Sequence, residues 1–150
     1  MMARPVFGVA VLAILAAWPA AAQQPAPAGR IKVVSGAAFV VRAGKSAAAQ
    51  AGQVLYESDT LRTGTDGRLG VTLKDDTRVS LGPESEVKLD RFAYAPAESQ
   101  VGLVLRIVRG VAAYVSGRIA KLAPDAVRLE TPSAIVGVRG TTVALRVDRS

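Results

Sequence analysis

The most regular alternation of apolar and polar positions runs over residues 70–89. Val71, Val79 and Val87 stand eight apart, as do Leu73, Leu81 and Leu89, and Thr77 and Ser85 repeat in step with them. Each block is a Val-x-Leu run closed by a polar turn, the pattern of a short half-buried strand. Strand side chains alternate with a period of two, so an even repeat keeps every Val and Leu on the same face. Strands with one apolar face cannot stand alone in water, and this ribbon is expected to line one interior wall of a β core. Its turns, at residues 74–77 and 82–85, are rich in Asp, Gly, Pro and Ser, the residue types that turns demand.

Elsewhere the same reading predicts strands over residues 31–34 and 38–42, separated by Ser35-Gly36. Residues 43–52 hold small side chains with no apolar period and are expected to form a loop, or one helical turn through Ala47, Ala48 and Ala49. Residues 54–63 carry Leu55 and Leu61 around a turn at 57–59, and residues 63–67 pack two Gly and an Asp-Gly pair into a corner. Residues 91–100, with Pro96, are expected to be a second loop. Residues 101–121 could read as an amphipathic helix, but Gly102, Gly110 and Gly117 interrupt them. Each interior Gly costs a helix about 1 kcal/mol, so two strands about Gly110 are expected, with a helical turn over 116–122. Residues 127–131 alternate cleanly, Pro132 ends them, 134–138 resume, and 143–147 alternate again as a last strand with an edge free for another chain.

The N-terminal residues change the domain count. A basic start at Arg4, an almost wholly apolar run over 6–18 and Ala20-Ala21-Ala22 predict a signal peptide over 1–22, with Gln23 as the mature N-terminus. Residues 23–29, with Pro25 and Pro27, are expected to be a flexible leader, and 30–148 one β domain. Export implies a periplasmic or secreted protein. The chain has no Cys, so stability must come from packing alone.

Without Arg4, 18 of the 19 basic side chains face 12 acidic ones, an excess that favours anionic partners. The arginines are scattered singly, however, as on the solvated outer faces of strands. With neither His nor Cys, histidine triads, thiol nucleophiles and the usual zinc or haem ligands are excluded. Asp75 and Asp76 are adjacent and read as a solvated turn pair. Asp59 and Asp66 flank the Gly64 corner and could share a Ca²⁺, although the spaced ligands of a calcium loop are missing. Ser85 and Lys88 form a Ser-x-x-Lys match, but in a strand repeat rather than on the helix that would align them. Phe92 and Tyr94 are candidate contacts for a sugar or a partner, or else cover the core edge. No aromatic and basic residues interleave as single-stranded nucleic acid requires, and no nucleic-acid partner is expected.

The stretch Thr131-Pro132-Ser133-Ala134-Ile135-Val136-Gly137-Val138-Arg139-Gly140-Thr141-Thr142-Val143 resembles the closing signature of the FecR domain family, bacterial periplasmic modules of surface signalling. Residues 52–64, ending in Asp59 and then Thr63-Gly64, look like the family's Gly-Asp and Thr-Gly stretch. Residues 73–79 match its Asp-Gly-Ser/Thr turn, and residues 105–110 its strand before the signature. Ser58 and Asp76 stand where the family prefers Gly.

The resemblance implies an all-β domain of many short strands, an irregular β-solenoid or a meander-like sandwich. It implies structural roles for Asp59, Thr63, Gly64, Asp75, Gly110, Thr131, Pro132, Gly137, Arg139, Gly140 and Thr141. Gly137 and Gly140 would permit bulges or close backbone approach, and Thr141 would bond a neighbouring turn. The expected protein is a non-catalytic envelope module with no cofactor that binds another protein. The alternatives are a binder of anionic envelope polymer and, least favoured, a hydrolase built on Asp59, Asp66 and Asp75.

Overall fold

The computed structural model describes residues 2–3, 5, 25–138 and 142–148. The segment read as a signal peptide lies outside them, apart from Met2, Ala3 and Pro5. The strands are β1 (Pro27–Ser35), β2 (Ala38–Arg42), β3 (Lys45–Ala48), β4 (Val54–Tyr56), β5 (Thr60–Thr63) and β6 (Arg68–Leu73). They continue with β7 (Arg78–Leu81), β8 (Glu86–Ala95), β9 (Gln100–Val115), β10 (Val127–Glu130), β11 (Ile135–Gly137) and β12 (Thr142–Val147). One short helix, α1 (Arg118–Leu122), follows β9.

All the strands belong to one curled sheet with two wings, and β9 is the spine they share. Its first part, residues 100–109, pairs antiparallel with β8, and residues 103–106 pair in parallel with β10. At Gly110 the backbone turns left-handed, with φ of 84°. Beyond it β9 pairs with β7 on one side and β12 on the other. One wing therefore runs β3-β2-β5-β8-β9 with β10 and β11, and the other runs β4-β1-β6-β7-β9 with β12. Apart from β9–β10 every pairing is antiparallel, so the architecture is the meander-like one rather than a solenoid of parallel rungs.

The wings close on a single apolar core, and Val71, Leu73, Val79, Leu81, Val87 and Leu89 are all buried in it. The repeat points inward throughout, but from two walls. β6 and β7 pair with each other, whereas β8 crosses to the opposite wing and pairs with β5 and β9. The residues between β7 and β8 form a corner, not a hairpin. The Thr63 hydroxyl donates to the Gly82 carbonyl (2.6 Å) and accepts from the Ser85 N–H (2.9 Å), while Glu84 N–H donates to the Gly64 carbonyl (2.9 Å). The voids between the wings are about 10 Å³ each, too small to hold a ligand.

Four expectations change. Residues 45–48, read as loop or helical turn, are strand β3, joined to β2 by a two-residue turn in which Ala43 and Gly44 both have positive φ. That is the hairpin geometry whose twist matches the strands. Every side chain of β3 is exposed, so no apolar period marked it. Residues 91–95 continue β8 past a bulge between Leu89 and Arg91. Residues 101–115 form one strand bent at Gly110 rather than two, and the helical turn after it is α1. β1 starts at Pro27, inside the stretch read as leader, with Ala28 and Gly29 buried.

Ser58 and Asp76, where the resembling family prefers Gly, both have positive φ, 74° and 69°. A left-handed residue with a Cβ costs about 1–2 kcal/mol, while glycine's extra unfolded-state entropy returns roughly 0.5–1 kcal/mol of that. Ser58→Gly and Asp76→Gly are each expected to raise stability by roughly 0.5 kcal/mol, read as a shift in urea midpoint at unchanged slope.

Candidate functional site: corner clamps and the signature groove

The polar residues of the recurring motifs lie at the corners of the sheet. Asp59 opens β5 after the turn at Ser58, and only 1% of its surface is exposed. Its carboxylate accepts from Tyr56 N–H (2.8 Å), Arg42 Nε (2.8 Å) and an Arg42 terminal nitrogen (2.7 Å). The Arg42 guanidinium lies 4.7 Å from the centre of the Tyr56 ring. Hydrogen bonding to Asp59 holds the Arg42 pKa above its ordinary value. Asp66, weighed as sharing a Ca²⁺ with Asp59, accepts instead from Ala37 N–H (3.2 Å), so the two carboxylates serve separate partners. Arg42→Ala would leave the Asp59 carboxylate buried with only one donor. Because Arg42 is half exposed, the expected loss is about 1–2 kcal/mol in urea unfolding, below that for a fully buried pair.

Asp75 is fully buried, contrary to its reading as part of a solvated turn pair. Its carboxylate accepts from Thr77 N–H (3.1 Å), the Thr77 hydroxyl (2.7 Å) and Ile119 N–H (3.1 Å). Its carbonyl accepts from Arg118 N–H (2.7 Å). Asp75 thus ties the β6–β7 turn to the start of α1. Its neighbour Asp76 is the solvated one, ion-paired to Arg118 at 3.2 Å. A third clamp joins Thr63 to Ser85, whose hydroxyl donates to the Pro83 carbonyl (3.0 Å) and accepts from Val111 N–H (2.8 Å) just after Gly110. Ser85 is therefore a buried corner hydroxyl, and Lys88 pairs with Asp90 (3.7 Å), so the Ser-x-x-Lys match carries no chemistry. On the inner face of β9, burial pushes the Tyr114 phenol above its usual range.

Thr131 and Pro132 form the turn between β10 and β11. Thr131 N–H donates to the Ala134 carbonyl (2.8 Å), and the Thr131 hydroxyl accepts from Ala134 N–H (3.1 Å). Pro132 ends β10 as expected. Gly137 adopts no left-handed backbone, and among the described residues a Cβ there would meet nothing within 4 Å. Arg139, Gly140 and Thr141 lie outside the described residues.

Residues 59–150, more than half of the chain, match the family described as FecR protein. The chain belongs to the FecR family. Among curated proteins and among solved structures, none matches it. The FecR match begins at the Asp59 clamp, takes in those at Thr63 and Asp75, and runs through the signature turn. β1 to β4 precede it, yet pair into the same sheet. FecR proteins are involved in envelope signalling. No helix among the described residues is long and apolar enough to cross a membrane.

Beside the FecR signature turn lies an open groove of about 560 Å³. It is lined by Thr131, Pro132 and Ser133 of the turn, Val108 and Arg109 of β9, and Arg146 and Val147 of β12 with Asp148 just beyond it. The Arg109 Nε is buried with no hydrogen-bond partner, and neither guanidinium pairs with a carboxylate among the described residues. An unsatisfied buried donor has a standing preference for an acceptor. The arginines had read as scattered surface charge, and the signal for this groove was only that Arg109 precedes the pivot glycine. Phe92 and Tyr94 sit on β8, not in a loop, and pack half-buried against the core, the role of covering its edge.

Proposed function

We propose that this FecR-family chain is a non-catalytic module, periplasmic or secreted, that holds another envelope protein and so signals or scaffolds. The supporting observation is where its polar groups are engaged. Asp59, Thr63, Asp75, Thr77 and Ser85 direct their hydrogen bonds into the fold. At the family signature lies an open groove, lined also by Asp148, and its two guanidiniums form no ion pair among the described residues. It lies beside β12, which among those residues pairs with β9 alone. A partner strand can add to such an edge while a partner carboxylate meets Arg109.

A photo-crosslinking residue at Ser133, in intact cells, is expected to capture one distinct envelope protein. The same residue at Lys45, on the far edge, is not. Arg109→Ala should lower the yield at Ser133 several-fold. Self-contacts alone, or equal capture from Lys45, would remove the reading.

A further inference from the structure

The two outer faces of the sheet treat their charges differently. On the wing built around β8 several cations pair with anions: Arg62 with Glu86 (3.0 Å), Lys88 with Asp90 (3.7 Å), and Arg106 with both Asp90 (3.2 Å) and Glu130 (3.5 Å). Lys45, Arg91, Arg109 and Arg128 of that wing form no ion pair among the described residues. The other wing contains no acidic residue in β1, β6, β7, β12 or residues 110–115 of β9. Its outward side chains include Arg30, Lys32, Arg68, Arg78 and Arg146, all exposed. None of the five pairs with a carboxylate among the described residues.

Register places four of them, all but Lys32, on two rows across the strands. Arg30 lies opposite Thr72, Thr72 opposite Arg78, Arg78 opposite Val115, and Val115 opposite Thr142. On the other side Ser35 lies opposite Arg68, and Val111 opposite Arg146. The row between them, from Val33 through Gly70, Ser80 and Ala113 to Ala144, carries no charge and little bulk. Neighbouring strands are about 4.8 Å apart, so five of them offer a path of roughly 19 Å with positive charge along both sides. At the β1 end a groove of about 230 Å³ beside Arg30, Lys32 and Lys74 extends it. The carboxylate there, Asp76, is already engaged by Arg118.

We propose that this face binds a linear acidic polysaccharide, whose carboxylates recur along an extended chain. Charge complementarity over an extended, low-relief surface fits a rod of repeated anions better than a compact ligand. The face carries no aromatic ring on which bases could stack. Its largest apolar outward side chains are valines, too short to anchor in a bilayer. This face shares Arg146 and β12 with the groove, but its test rests on Arg68 and Arg78, which the protein-binding reading does not use, so either can fail without the other.

The test is titration of the full chain with sodium polygalacturonate, with neutral dextran as the blank. Binding is expected to weaken at least about tenfold between low and moderately high salt, as screening shortens the reach of exposed charges. Arg68→Glu with Arg78→Glu should weaken it at least about tenfold, and the milder Arg68→Gln with Arg78→Gln by a smaller factor. Lys45→Glu with Arg128→Glu, the same change in net charge on the opposite wing, should leave it within about twofold. Far-ultraviolet circular dichroism confirms that each variant is folded. No binding to polygalacturonate, equal loss in both charge-reversal pairs, or tighter binding to a DNA duplex or to phosphatidylglycerol vesicles would overturn the assignment.

Discussion

Gly110→Ala is expected to cost about 4–5 kcal/mol, a large share of the roughly 5–15 kcal/mol that holds a domain folded, for reasons that add at one point. The left-handed backbone at φ 84° penalises alanine by about 1–2 kcal/mol. A Cβ would stand 2.5 Å from the Ser85 Cα and 2.6 Å from the Glu84 carbonyl oxygen, both main-chain atoms that cannot rotate away. Overpacking of that kind costs about 1–3 kcal/mol. The corner cannot retreat without loosening the bonds of Ser85 to Val111 and of Thr63 to Gly82, for about 1 kcal/mol or more each. At this residue β9 passes from one wing to the other, so the damage falls on both halves of the sheet. Urea unfolding, or soluble yield where no transition remains, reads the loss. Gly137→Ala, at an open position, should stay within about 0.5 kcal/mol of the parent. Similar losses at the two glycines would show that the pivot is not special.

Asp75→Ala is expected to cost about 3–4 kcal/mol, the next largest effect. The carboxylate receives three donors inside the protein, and hydrogen bonds to charged groups contribute about 1.5–3 kcal/mol each before shared losses. Alanine would leave Ile119 N–H and Thr77 N–H buried without that acceptor. Asp75→Asn keeps the shape and one acceptor oxygen, and should cost about half as much. Besides the urea midpoint, amide exchange at Ile119 should accelerate, because α1 loses its tether to the β6–β7 turn. Unchanged exchange there, with stability lost, would place the role of Asp75 wholly within its own turn.

Both effects bear on function in one way. The FecR-motif residues Asp59, Thr63 and Asp75 sit at corners where backbone donors and acceptors would otherwise be buried unpaired. Their hydrogen bonds hold the sheet's curl, and the curl positions the charged residues of the candidate binding surfaces, including those beside the signature residues Thr131 and Pro132 in the groove.

Much of this was legible in the order of residues. Period-two alternation at 71, 73, 79, 81, 87 and 89 stated that these side chains face inward, and all six do. The family resemblance singled out Ser58 and Asp76 as turn positions where Gly is preferred, and both are left-handed, whereas Gly110 read as the break between two strands and proved to be a bend within one. Alternation says which face a residue takes, but not which strand lies beside it. The crossing of β8 to the opposite wing was therefore decided by the Thr63–Ser85 clamp, whose members are 22 positions apart. β3 was invisible because an edge strand with both faces in water needs no apolar period. Asp75 looked like a surface residue because its burial depends on Ile119, 44 positions away. The groove brings together residues 108, 131 and 146, and the unpaired cationic face becomes distinct only when cross-strand register assigns each arginine its neighbours. Local sequence determined orientation and turn; long-range pairing, which no short window contains, decided partners, burial and the distribution of charge.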